Sequence, residues 1–254
     1  MRMVPTNFPL LPGRNDFDCF GRLIPAKIVG GDLFDIFLVY ENQLFISILD
    51  TVGKGIPAAM YSVMIMTFIR SITNSINNVD KVKESLNNAL GLTNKSSSLG
   101  KMMESLNDAL GLLRDVDMFA TVFLGRLNLE TGEFTYCNAG HLHPVILRND
   151  HHEEVLSQSH GIPLGVKSNL QFSESKTILA SGESVITFTD GVTEQCNDKG
   201  EFFGMERLIS LVYSMQELTT EEIVNKTLEA LENFRGETDV HDDIAIAAIK
   251  FLGR

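Results

Sequence analysis

The chain has 254 residues, 44% of them hydrophobic, with 33 acidic side chains against 21 basic ones and a formal net charge of −12. That length suffices for one large domain or two small ones, and the apolar share for a substantial core, while the charge argues against the basic face that a nucleic-acid partner requires. Cys19, Cys137 and Cys196 are odd in number and widely spaced, which argues against a disulfide framework or a zinc cage.

Residues 1–26 read as a lead-in segment with prolines at 5, 9, 12 and 25, and show no secretory pattern. Residues 33–40 and 43–49 read as strands joined by a turn at Glu41-Asn42. Residues 55–76 read as a helix, because Pro57 suits its first turn and Met60, Val63, Met64 and Thr67 recur three or four apart. The apolar stretch inside it is broken by Ser62, Thr67, Arg70 and Ser71, so direct membrane insertion is not expected and a cytoplasmic location is. Residues 84–92 recur at 104–112 with one change, Asn88 to Asp108, both with helical spacing. The reading is a local duplication over 84–112 that lengthens a helical hairpin and carries no chemistry, since two copies are too few for a solenoid. A Ser- and Lys-rich linker, 93–100, separates the copies.

From Phe119 the chain turns β-rich. Strands are predicted at 119–129 and 133–138 around the turn Glu130-Thr131-Gly132, then at 144–148, 170–179 and 183–188. Helices follow at 205–215 and 220–234, the second with an acidic start at Thr219 or Thr220 with Glu221 or Glu222. A last strand covers 244–251. No interior linker marks a boundary, so the expectation is a single α+β domain over 1–254.

Acidic residues stand at the ends of these strands. Apolar runs end in Asp50 and in Asp190, Asp242-Asp243 open the last strand, and Asp32 and Asp35 open the first. One such aspartate is an ordinary turn former. Several gathered on one edge would repel and resist ionising, a conflict that a bound divalent cation resolves. Oxygen-only donors favour Mg²⁺ or Mn²⁺ over Zn²⁺. Gly53, Gly55 and Gly191 permit tight backbone beside Asp50 and Asp190, and Lys54 is a candidate phosphate-facing cation. Gly-Lys-Gly here is no nucleotide-binding loop, because Ile48 stands where the first glycine is required. His141 and His143, two apart, could share a face and bind metal, and Glu194 could orient a water or be structural.

The segments GGDLFD, LDTVGKGIPAAM, MFATVFLGRLNLETGEFTYCNAGHLHPVIL, GIPLGV, TFTDGVTE, FFGMERL and HDDIAIAAI occur in that order. Together they resemble the bacterial type 2C-like (PPM) serine/threonine phosphatases of the SpoIIE/RsbU class, over about residues 5–250. The resemblance implies a central antiparallel β-sandwich flanked by helices (αββα), with two Mn²⁺ or Mg²⁺ ions at one end. It implies Asp50 as bridging ligand, the Thr51 carbonyl on one ion, and Asp190 and Asp242 on the other. Asp243 could exchange roles with Asp242, and Asp32 is a better direct or water-mediated ligand than Asp35. It makes the His141–His143 segment structural or substrate-adjacent. It further implies attack of an activated water on phosphoserine or phosphothreonine, without a phosphoenzyme. The partner it implies is a phosphorylated STAS-like anti-anti-sigma protein in partner-switching signalling, and a homodimer is compatible with it.

Three departures stand out. Thr51-Val52 replace the usual Val-Ser, no histidine lies near this loop to serve as general acid, and Ala245 replaces a common threonine. A non-catalytic pseudophosphatase binding module is the rival reading, and a small-molecule phosphodiesterase the third.

Overall fold

The protein was analysed as a computed structural model that describes residues 14–90, 98–111, 118–150 and 153–253, the side chains of 75–90 excepted. Ten strands form two five-stranded antiparallel sheets. The first sheet runs β1 (Phe17–Ile24), β10 (Ile244–Phe251), β9 (Ser184–Phe188), β6 (Val145–Leu147), β7 (Glu153–Val155). The second runs β2 (Leu33–Val39), β3 (Gln43–Thr51), β4 (Ala120–Asn128), β5 (Glu133–Ala139), β8 (Ser175–Ile178).

Period-2 alternation divides the buried residues into three cores. In β10, Ala245, Ala247 and Ile249 face the opposite sheet and meet Ile46, Ile48, Phe123 and Phe134. Its alternate residues Ile244, Ile246 and Ala248 face outward onto α4 (Gly204–Tyr213) and α5 (Thr220–Arg235). On the other outer face, Phe45, Leu49, Val122 and Leu124 meet α1 (Ile56–Leu90) and α2 (Leu99–Gly111). The result is four layers, αββα, whose β10 is buried along its whole length. Truncating a fully buried residue such as Ile46 or Ile246 to alanine would cost about 2–5 kcal/mol.

Several predicted elements shift. The lead-in segment contains β1, paired with β10 from Phe17↔Phe251 to Ile24↔Ile244. Gly21, which weakens its strand pattern, is required there because a Cβ would lie 2.4 Å from the Phe34 ring. The predicted strand 170–179 contracts to β8, while Phe172 turns into the core under α2. The helix predicted to end at 76 continues to Leu90, so residues 84–90 of the first repeat copy complete α1 and residues 104–111 of the second lie in α2. In that second copy Leu106 and Leu110 are buried, and Asn107 donates to the Lys167 carbonyl (3.0 Å) and accepts from the Gly165 N–H (3.0 Å). Of the predicted linker 93–100, residues 93–97 lie outside the described residues, and 99–100 open α2.

The helix N-terminus expected near residue 220 is resolved in favour of Thr219. Its hydroxyl accepts from the Glu222 N–H, and the Glu222 carboxylate accepts from the Thr219 N–H, a reciprocal capping box. On length and composition alone, Ile56–Asn74 could cross a membrane, with mean hydropathy 1.3. In the fold its Ala58, Tyr61, Ile65, Met66 and Ile69 are buried, as in a core helix.

Candidate functional site: an acidic edge of the sandwich

Both sheets deliver aspartates to one edge. Asp50 lies at the end of β3, opposite Thr121 of β4. Asp190 opens a single helical turn, α3 (Asp190–Thr193), directly after β9. Asp242 and Asp243 precede β10, and Asp32 precedes β2. The loop after Asp50 bends through Gly53 and Gly55, at φ +97° and +80°, conformations that glycine adopts without strain. Gly191 is needed for close approach, since a Cβ there would sit 1.9 Å from the Asp243 carbonyl oxygen.

The electrostatics of this edge are unfavourable. Burial, and then the Asp50 charge, push the Asp32 carboxyl up to about 10, while a hydrogen bond from Thr189 partly opposes the shift. Burial also raises Asp50, with Asp242 and Asp243 adding to the effect. Asp190 is pushed up to about 6 by burial, then by Asp50 and Asp242. Lys54 answers part of this charge, donating to Asp242 Oδ2 (2.9 Å) and to the His241 carbonyl (3.2 Å).

Asp243 has a different position. Its carboxylate is buried and accepts from the Ala26 N–H and the Gly31 N–H, both at 2.8 Å. It thereby clamps the segment that presents Asp32 against the start of β10. Asp35 is turned to the other face of β2, where Arg70 of α1 takes both its oxygens while lying over the Phe37 ring. It is therefore not gathered with the other aspartates. Glu194 is exposed, and its N–H bonds the Asp190 carbonyl. Thr51 is buried, its hydroxyl 2.7 Å from that of Ser62, which also donates to the Gly31 carbonyl.

Among the described residues, no three Asp, Glu, His or Cys side chains close into a ready-made ligand cage. The donor set nevertheless fits a hard cation. Asp32 Oδ2 is buried without a hydrogen-bond partner, an unsatisfied carboxyl oxygen whose burial is costly and which a bound cation would satisfy. Its neighbours are carboxylates, and Lys54 stands against Asp242 as a positive charge would.

Sequence reasoning did not find Thr189, Ser62 or the neutral network beside the acidic edge. In that network the Asn138 side chain brackets His141, accepting from its N–H (2.7 Å) and donating to its carbonyl (3.0 Å). The Asn138 N–H donates to His160 Nδ1 (3.0 Å), and His160 Nε2 meets Ser175 Oγ (2.8 Å). His141 itself is buried, with Nδ1 2.8 Å from Thr121 Oγ1 and Nε2 3.2 Å from the Phe188 carbonyl. Both ring nitrogens therefore have protein partners.

Comparison with known proteins agrees with this architecture. The protein IcfG of Synechocystis is 28% identical over 257 residues, covering 98% of this chain and 40% of that protein. The phosphoserine phosphatase RsbU of Bacillus subtilis is 25% identical over 240 residues, covering 94% of this chain and 65% of RsbU. This chain thus spans less than two thirds of either relative. Among solved structures, the SiaA-PP2C domain of Pseudomonas aeruginosa superposes with a TM-score of 0.76 at 17% identity, over 92% of this chain and 85% of that one. The catalytic domain of the phosphatase PstP, solved with two manganese ions, gives 0.61 at 10% identity, over 93% and 98%. The antiparallel sandwich is thus the PP2C-type fold that the motifs implied. Residues 40–252 match the family described as Stage II sporulation protein E (SpoIIE), and the chain belongs to that family.

Proposed function

We propose that this chain is a single catalytic domain that removes phosphate from phosphoserine or phosphothreonine of a STAS-like anti-anti-sigma protein, dependent on two Mn²⁺ or Mg²⁺ ions. The observation that carries the reading is the convergence of Asp32, Asp50, Asp190 and Asp242 from distant segments, with Asp32 Oδ2 buried and unpartnered. Membership of the SpoIIE family and similarity to the phosphoserine phosphatase RsbU support the same chemistry.

In this reading Asp50 would be a ligand common to both ions and the Thr51 carbonyl would help to hold one of them. Asp190 and Asp242 hold the other, and Asp32 reaches the centre directly or through water. When bound, such a pair supplies Lewis-acid charge and a water of lowered pKa. Asp243 holds the Asp32 segment through Ala26 and Gly31, and remains the neighbour able to exchange with Asp242. Lys54, paired with Asp242 in this structure, would be the cation available to meet substrate phosphate. Next to it, Val52, Ile56, Met60 and Val63 are exposed apolar residues. An open apolar margin of this kind suits a protein substrate better than a small ester.

The test is phosphate release from phosphorylated STAS-like proteins with Mn²⁺ and with chelator. The expected result is Mn²⁺-dependent release that is lost in Asp50→Asn and in Asp190→Asn. Full turnover surviving both substitutions would refute the assignment. Tight partner binding without turnover would indicate a pseudophosphatase, and cleavage of diesters alone a phosphodiesterase.

A further inference from the structure

We infer that His141 is a positioning residue that fixes the Asp50 strand against the Asp190 strand across the sandwich; this rests on the reading of the aspartates as an ion-binding centre. The two hydrogen bonds of its ring reach different sheets. Nδ1 meets Thr121 on β4, the residue directly opposite Asp50 in the β3–β4 ladder. Nε2 meets the carbonyl of Phe188 at the end of β9, two residues before Asp190.

The chemistry of the partners sets the ring's state. A carbonyl only accepts, so Nε2 carries the proton. Nδ1 is then an acceptor, and the Thr121 hydroxyl donates to it. Burial, which pushes the imidazole down to about 4, keeps that neutral tautomer in place near neutrality.

The Phe188 carbonyl is available for a local reason. The β6–β9 ladder ends at Val145↔Ile186, two residues short of Phe188. The ring's own position is equally constrained. Asn138 holds the His141 backbone from both sides, and Gly140, at φ +73°, leaves no room for a side chain against Pro163. His141 is thus a strut between Thr121, paired with Asp50 in the β3–β4 ladder, and the end of the strand that leads to Asp190. A group at this distance acts on an ion site by orienting its ligands, an effect worth about tenfold or more in affinity.

Calorimetric Mn²⁺ titration of chelator-stripped protein tests this without turnover. Thr121→Val removes one hydrogen bond at nearly constant shape, and His141→Phe removes both. Each variant is expected to bind Mn²⁺ about tenfold more weakly, with His141→Gln, which keeps a donor and an acceptor, between His141→Phe and the parent. A purely structural role would lower the melting temperature in chelator and leave the affinity of the folded protein unchanged. Parent-like affinity in folded Thr121→Val overturns the inference, as does a His141→Gln variant no better than His141→Phe. If the parent itself binds no Mn²⁺, the ion-centre reading fails and the inference falls with it. If the parent binds and the variants match it, only the strut fails.

Discussion

Two buried polar centres lie side by side at one end of this sandwich, and they are resolved in opposite ways. Around Asn138, His141 and His160, the described polar atoms find partners within the chain, and both imidazoles are held toward the neutral form. Around Asp32, Asp50 and Asp190, carboxylates are pressed together, their protonation is favoured, and one oxygen has no partner. The first centre is satisfied within the protein; the second holds a charge conflict that a bound cation would relieve. An internally satisfied network makes a scaffold, whereas clustered carboxylates with strongly shifted protonation mark a candidate functional site.

Breaking the acidic centre should have the largest effect. Asp50→Asn and Asp190→Asn should each lower turnover on a phosphorylated STAS-like protein by about 10²–10³-fold or more, measured at fixed Mn²⁺.

Ion binding should next separate stability from charge. At about 100 times its dissociation constant, Mn²⁺ should stabilise the parent by about 2.7 kcal/mol, read as a rise in melting temperature. Asp32 favours its protonated form in the ion-free fold, so Asp32→Asn should change stability in chelator by only about 0.5 kcal/mol while losing most of that Mn²⁺-dependent rise.

The neutral centre should behave in the reverse sense. Asn138→Ala strands the His141 backbone groups and should cost about 2 kcal/mol, with or without Mn²⁺, in denaturant unfolding.

The smallest effect sharpens the contrast through pH. His141 has a folded value near 4, below the ordinary 6.5, so the unfolded chain binds its proton first. Its contribution is full above pH 6.5 and is lost as pH falls toward 4, about 1 kcal/mol of it between pH 6.5 and 5.5. Asp190 has a folded value near 6, above the ordinary 3.8, so its contribution has the opposite sign and is lost as pH rises through 6. In chelator, His141→Gln should flatten the first slope and Asp190→Asn the second.

The acidic centre was more legible in the sequence than the neutral one. Asp50, Asp190 and Asp242 each border an apolar strand, a signal that local patterning carries. Asp35 shows the limit of that signal, because its partner Arg70 lies 35 residues away on a helix face. Thr189 and Thr121 have no local signature; they matter only through contacts between chain segments. The strand β1 escaped for a similar reason, since the prolines around it, at 5, 9, 12 and 25, and its own Gly21 speak against a strand and only the full register with β10 overrides them. The residues that build a charge conflict are visible one by one, while those that hold it in place are defined by tertiary neighbours.

The most direct measurement is the stoichiometry and affinity of Mn²⁺ binding to the chelator-stripped chain, by calorimetry with electron paramagnetic resonance. A coupled pair of ions per chain, lost in Asp50→Asn and weakened in Asp32→Asn, is the predicted result. Absence of binding, or binding untouched by both substitutions, would contradict the account.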